Sequence, residues 1–216
     1  MSEAHPATSG TESLRTTLID AAAALLAQSE AASLSLREVA RRAGVSHNAP
    51  YRHFRDKAEL LAAVAAAGYD RLRLTVERAA AGAPDAAEGL TALIGAFVAF
   101  ALEDRSRYAL MIGKDVRNPD GSLSPELRGA ADRARHVLRD LLIRGGRSGI
   151  FSIDVDDEDD VSAAVVTVWS TLHGYTLLEL DRLRQLETTL EIDQLTKHVA
   201  MRLVTGLRPR RAPVSG

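Results

Sequence analysis

Residues 35–57, SLREVARRAGVSHNAPYRHFRDK, constrain the fold more than any other stretch of the chain. Ser35 is a good N-cap and Glu38 follows three residues later, the pattern of a capping box. Leu36, Val39, Ala40 and Ala43 then recur at helical spacing. Gly44 supplies a left-handed turn that a β-carbon would disfavour. Ser46 is placed to cap the next helix, which carries His47, Asn48, Tyr51, Arg52 and His53. Asp56, with Glu59 three residues on, caps another helix that opens at Lys57. A helix, a Gly turn and a second helix rich in side chains that reach bases and phosphates is the layout of a helix-turn-helix DNA reader.

The whole chain has a net charge of −2, which alone argues against a nucleic-acid ligand. Distribution matters more than the total. Between Leu34 and Lys57 the bases Arg37, Arg41, Arg42, Arg52, Arg55 and Lys57 stand against Glu38 and Asp56, a local charge of +4 that leaves −6 elsewhere. A phosphate-seeking head on an acidic body fits this split. A solvated Arg-rich helix face fits the charges alone equally well. The 216 residues leave room for a small domain and a larger one, and 46% hydrophobic content supports a packed core. Aromatics are only 4%, as in Ala/Leu-rich helical proteins, and the absence of cysteine excludes disulfides and thiolate metal sites. No uninterrupted apolar run of membrane-spanning length is read, and MSEAHPATSG lacks a basic-then-apolar signal pattern. The expectation is a cytoplasmic chain with no membrane partner.

Composition and periodicity divide the chain. Residues 1–12 are rich in Ser, Thr, Gly, Pro and Ala and are expected to be disordered. Residues 13–60 form the head, 61–207 a second helical domain, and 208–216 a disordered tail. A first helix with Leu14, Leu18, Ala21, Ala22 and Leu25 on one face covers the two short helices. The helix after Asp56 carries Leu60, Leu61, Val64, Leu72 and Val76 and runs to about Ala80. Gly68 in its interior costs roughly 1 kcal/mol relative to Ala, which close helix packing explains. Further helices are expected at about 86–104, 105–113, 125–144, 161–180 and 188–206. Asn118-Pro119-Asp120-Gly121 is a strong turn, and Ser124-Pro125-Glu126 is an N-cap followed by Pro at the first helical position. Gly145-Gly146 and Gly149 are expected to break the chain. No short β-branched strands alternate with turns, so the fold class is all-α, with about nine helices.

LREVARRAGVS, YRHF and DKAELL, in this order and spacing, resemble the tetracycline-repressor family of transcription regulators. A weaker resemblance lies in VWSTLHGYTLLEL, residues 168–180, which is similar to a C-terminal subclass marked by Trp, His and Gly, here Trp169, His173 and Gly174. The resemblance implies a homodimer reading a palindromic double-stranded DNA operator, and a helical C-terminal domain that dimerises and holds a small-molecule effector. Carried over by position, it implies that Ser35 caps its helix and touches a phosphate. It places His47, Asn48 and Ala49 at base edges, and Tyr51, His53 and Lys57 on phosphates. Ser46 and Arg52 complete the DNA-contacting set. The chemistry agrees, since Asn pairs bidentately with adenine, His donates to guanine, and a helix N-terminus favours phosphate. Phe54 and Val45 are assigned to the core of the head. Pro50 departs from the family pattern, where an apolar residue with a backbone N–H is commoner. It is expected to bend the recognition helix and shift weight from base readout to phosphates and DNA shape.

Other clusters carry less. His173 lies on an apolar helix with Trp169 four residues earlier on the same face. A lone His there is most often core, and its functional reading is a ligand pocket closed by Phe97, Tyr108 and Met111. No metal-ligand set at workable spacing is found, and neither a catalytic residue nor a cofactor is expected. The acids of 154–160 lack the Gly and Glu of a calcium loop and suit a helix N-terminus instead. Gly145-Gly146-Arg147-Ser148-Gly149 is no phosphate loop. The last two helices, by family resemblance, pair across a two-fold axis as a four-helix bundle. The functional expectation is a repressor released by a small-molecule effector. The alternatives are an activator or ligand-independent regulator of the same fold, or a helical protein-binding module.

Overall fold

The structure, a computed structural model, describes residues 7–28, 31–180 and 190–209. Eight α-helices and two 3₁₀ turns account for its regular structure, with no strand among the described residues. The chain divides into two compact units. Unit 1 comprises the residues up to Asp70 together with Asp104–Ala131, and unit 2 comprises Arg71–Glu103 and the residues from Asp132 on.

Unit 1 contains α1 (Ala7–Leu26), a 3₁₀ turn at Ala31–Ser33, α2 (Leu36–Arg42), a 3₁₀ turn at Pro50–Arg52, the first part of α3 (Lys57–Ala81), α5 (Arg105–Ile112) and the start of α6 (Pro125–Arg147). Leu18, Ala22, Val39, Phe54, Leu60 and Val64 form its core, each almost wholly removed from water. α1 packs on α2 and on α5. The Tyr69 hydroxyl donates to the Met111 carbonyl at 3.2 Å. A β-carbon on Gly68 would lie 2.8 Å from the Met111 sulfur, so close packing accounts for this glycine. These contacts explain why α5 and the following loop belong with the head, although the sequence divides at residue 60. The Asn118–Gly121 turn closes as expected, with Gly121 N–H on the Asn118 carbonyl at 2.8 Å and Gly121 at φ +81°.

Unit 2 contains the rest of α3 and α6, with α4 (Ala86–Glu103), α7 (Glu158–Leu180) and α8 (Ile192–Leu207). α4 is its spine and packs on both α7 and α8. Leu90, Ile94, Phe97, Leu142, Phe151, Val168 and Leu172 fill the interior. The acids at the start of α7 are used locally: the Asp157 carboxylate caps the helix by accepting from Asp159 N–H at 2.9 Å, and that of Asp160, in the first turn, accepts from Asp154 N–H of the preceding loop at 2.7 Å.

Three expectations change. α1 begins at Ala7, inside the stretch that composition marks as disordered. Extending an existing packed helix adds one hydrogen bond per residue fixed, so polar residues such as Thr8 and Ser9 follow it. α6 does not end at Arg144 but continues through Gly145-Gly146 to Arg147. Both glycines serve as packing surfaces: a β-carbon on Gly145 would strike the Phe151 ring, and one on Gly146 would lie 2.6 Å from Val155 Cγ1. The actual break comes at Gly149, whose φ of +70° closes the helix with Ile150 N–H on the Gly145 carbonyl. α8 starts at Ile192, and residues 188–189 of the predicted last helix lie outside the described residues. α4 and α7 are each long and apolar enough to cross a membrane by length and average composition, although polar and charged residues interrupt both. For α4 the reason is burial within unit 2, where Leu90, Leu93, Ile94, Phe97 and Val98 are core.

Candidate nucleic-acid interface and ligand cluster

The head is assembled by local devices. Ser35 is extended (φ −131°, ψ 150°) and its Oγ accepts from Glu38 N–H at 3.2 Å, which leaves the hydroxyl proton for an outside acceptor. The Glu38 carboxylate pairs with Arg41 at 2.7 Å. Gly44, at φ +69°, ends α2 with Gly44 N–H on the Arg41 carbonyl and Val45 N–H on the Ala40 carbonyl, a Schellman closure. At the next helix, Asp56 Oδ1 accepts from Glu59 N–H at 2.9 Å, while the Glu59 carboxylate takes both the backbone N–H and the guanidinium of Arg55. These bonds, the backbone one foremost, hold the Glu59 carboxyl below the usual range, and the same partner raises Arg55.

Between these caps the expected recognition α-helix is replaced by a tighter segment. Residues 47–49 form a turn and Pro50–Arg52 one turn of 3₁₀-helix. The bonds run Ala49 N–H to Ser46, Arg52 N–H to Ala49 and His53 N–H to Pro50, all to the third residue back. Pro50 is the reason, because it brings no N–H for an α-type bond. Its ring is buried, and so is Phe54 four residues later, while His47, Asn48, Tyr51 and Arg52 face solvent. Ser35 and Ser46 are also exposed, and Ala49, His53 and Lys57 are half-buried. Val45 is half-buried beside the fully buried Phe54. Arg37, Arg42 and Arg52 are exposed and form no ion pair among the described residues. The nine residues predicted to contact DNA thus occupy one continuous stretch of unit 1 with its basic groups outward.

One contact had no local signal in the sequence. Arg15 of α1 lies over the Phe54 ring, 5.4 Å from its centroid, and grips Glu126 at the start of α6 with both carboxylate oxygens at 2.8 Å. Unit 1 is thereby tied across its back, behind the recognition segment.

The predicted ligand residues fall in both units. Tyr108 and Met111 are buried in unit 1. In unit 2, Phe97, Trp169 and His173 meet edge to face, with ring centroids 4.4 Å apart for Trp169–His173, 5.4 Å for Phe97–His173 and 6.0 Å for Phe97–Trp169. The space beside Phe97 and Trp169, bounded by Leu72, Leu93 and Leu138, is only about 10 Å³, no more than one water needs. Burial, followed by the charge of Arg135, lowers the His173 pKa to about 4, so the imidazole is neutral at neutral pH. Arg135 itself stands over the Trp169 ring at 5.8 Å. Sequence reading missed Arg135 because its ring partner sits on another helix. Among the described residues no group of three His, Asp or Glu side chains is placed to hold a metal.

Comparison with known proteins places this architecture. Residues 18–64 match the model of the bacterial regulatory proteins of the tetR family, and residues 90–203 that of the tetracyclin repressor-like C-terminal domain. No curated protein sequence matches the chain. A protein of unknown function from Rhodococcus sp. RHA1 is 29% identical, with a TM-score of 0.78 over 91% of this chain and 96% of its own. The TetR family regulator PfmR from Thermus thermophilus shares the fold at 24% identity and TM-score 0.61, over 89% of this chain and 99% of its own. RolR, solved in complex with resorcinol, shares it at 19% identity and TM-score 0.66, over 93% and 90%. Matched by family models over both its head and more than half its length, the chain belongs to the tetracycline-repressor family of DNA-binding transcriptional regulators, which bind operators and small molecules as dimers and are not enzymes.

Proposed function

We propose that this regulator is a homodimeric repressor that leaves a palindromic operator when a small molecule binds its C-terminal unit. The observation that carries the reading is the outward display of His47, Asn48, Tyr51 and Arg52 on a module of net charge +4. Two such modules, related by a two-fold axis, enter successive major grooves ~34 Å apart. His47, Asn48 and Ala49 meet base edges, and Ser35, Ser46, Tyr51, Arg52, His53 and Lys57 hold phosphates. A one-turn recognition segment offers few base contacts, so phosphate anchoring and DNA deformability carry much of the affinity.

Dimerisation is supported by α7 and α8, the last two helices. Leu177 and Leu178 on α7 and Met201 on α8 are exposed, at 38%, 44% and 53%. A patch of this kind is costly on a lone chain and is removed from water when two α7–α8 pairs form a four-helix bundle. The Tyr175 hydroxyl ties the pair, lying 2.9 Å from Thr196 Oγ1. The effector site is the Phe97–Trp169–His173 cluster, and the resorcinol complex of RolR supports a small-molecule site in this architecture. An effector acts only through its differential affinity for the DNA-competent and DNA-incompetent dimers.

The test is a fluorescence-anisotropy titration of the purified chain on duplexes from the region upstream of its own coding sequence. Specific binding with a steep salt dependence is expected, from about 5–8 phosphate contacts per head. Arg52→Ala is expected to weaken all duplexes alike, and Asn48→Ala to lower the preference for the operator. A chain that ignores every duplex at low salt refutes the proposal.

A further inference from the structure

The aromatic cluster of unit 2 carries no charge of its own, but a cation leans on its outer edge. Arg135 stands over the Trp169 indole and also borders a groove of about 300 Å³ between α6 and α7. Asp132, Arg135, His136 and Arg139 of α6 line one side of that groove, with Ser162, Val165 and Val166 of α7 on the other. Its volume falls at the lower end of small-molecule sites, enough for a one-ring ligand. The space on the inner side of the indole is already filled, and Trp169 does not line the groove, so a ligand in the groove reaches the indole only when Arg135, which touches both, moves aside.

The two arginines differ in commitment. Arg139 is held by Glu158 at the start of α7. Among the described residues the ion-pair partner of Arg135 is Asp132, 3.1 Å away on its own helix, and both side chains of that pair are more than 40% exposed. Such a pair is weak and easily exchanged, whereas a carboxylate arriving from solvent offers the guanidinium a two-point match. Removing the guanidinium from the indole frees a flat apolar face at the same moment.

We propose that the effector is a small organic anion with one flat apolar body, and that Arg135 is its anchor: the anion draws the guanidinium off Trp169 and the apolar body stacks on the indole. The inference rests on the reading of the Phe97–Trp169–His173 cluster as the effector site. His173 is in keeping with it, since a neutral imidazole packed on the rings sets no rival cation beside Arg135. A cationic ligand meets Arg135 as a like charge, and a neutral one leaves the guanidinium where it is.

Trp169 is the only tryptophan in the chain, so the intrinsic emission of the full-length protein reports on this site. The probes are benzoate and phenylacetate, with benzyl alcohol and benzylamine as the neutral and cationic counterparts. The anions are expected to change the emission saturably and to bind about tenfold tighter than either counterpart. Arg135→Gln is expected to abolish that preference while leaving the emission of the free protein typical of a folded chain. Arg139→Gln is expected to weaken the anions by less than about threefold, because Arg139 is already paired. Equal binding of benzylamine or benzyl alcohol overturns the proposal. So does an Arg135→Gln variant that still prefers anions, or the absence of saturation with both anions. No DNA is present in this titration, so its outcome is independent of whether the heads release an operator.

Discussion

Each unit of this molecule seats an arginine on an aromatic ring, and the two pairs are built for different ends. In unit 1, Arg15 lies 5.4 Å from the Phe54 centroid, Phe54 is 1% exposed, and Glu126 holds the guanidinium through two 2.8 Å bonds. In unit 2, Arg135 lies 5.8 Å from the Trp169 centroid, the indole is only half-buried, and the counter-charge is a solvated Asp132 at 3.1 Å. The contact chemistry is the same. What differs is that Phe54 is removed from water while Trp169 is not, and that Arg15 and Glu126 come from distant elements while Arg135 and Asp132 share one helix; both carboxylates remain largely exposed. The first pair fixes the back of the recognition segment. The second can be taken apart by a competing anion at little cost.

The sharpest way to break this comparison is to remove the rings. Phe54→Ala opens a cavity in a dry core and is expected to cost about 3–5 kcal/mol. Trp169→Ala removes a half-buried ring and is expected to cost roughly half as much, because much of its surface already meets water. Urea unfolding followed by far-UV circular dichroism measures both. Equal costs would mean that Trp169 is as structural as Phe54 and that the unit 2 pair is no separable contact.

This asymmetry also explains what the sequence discloses. α2, its Gly44 closure and the Asp56 cap are legible because each rests on residues three to five apart. The nine positions proposed to contact DNA lie between those devices. Pro50 is visible as an exception, but only the structure reduces the recognition helix to a single 3₁₀ turn. Gly145 and Gly146 mislead because their purpose lies in Phe151, Ile153 and Val155, which follow the turn and fold back. Phe97, Trp169 and His173 do group together within unit 2, and Tyr108 and Met111 are buried within unit 1. The ring contacts of Arg15 and Arg135 are unreadable, since ring and cation come from elements that only tertiary packing joins.

A second test uses protons. His173 has its pKa lowered to about 4 in the folded chain, against an ordinary value of 6.5. Between those values the unfolded chain binds a proton that the folded one refuses, so stability falls as pH drops from 6.5 to 4 and levels off below. The loss is expected to be about 2 kcal/mol, somewhat less than the full shift implies because the imidazole is not wholly buried. Urea midpoints at several pH values, compared with those of His173→Gln, isolate this contribution. Benzoate bound beside the cluster adds a negative charge near the imidazole, so it is expected to raise the His173 pKa and flatten the curve. Addition of benzylamine in its place is expected to leave the curve unchanged.

The smallest effects compare the two counter-ions directly. Glu126→Gln leaves Arg15 without its carboxylate, at a cost of about 1 kcal/mol, the upper end for a pair that is partly screened by solvent. Asp132→Asn is expected to cost nearly nothing in stability, since its pair with Arg135 is exposed and lies within one helix. The two substitutions part more clearly in function. Without Glu126, Arg15 no longer braces Phe54 behind the recognition segment, so specific operator affinity is expected to drop severalfold while binding to random duplex holds. Without Asp132, Arg135 is left for an incoming anion alone, so benzoate is expected to bind two- to fivefold tighter, about 0.4–1 kcal/mol, and DNA affinity in its absence to stay the same. If Asp132→Asn weakens benzoate instead, Asp132 orients the guanidinium rather than competing for it, and the contrast between the two arginines is one of degree.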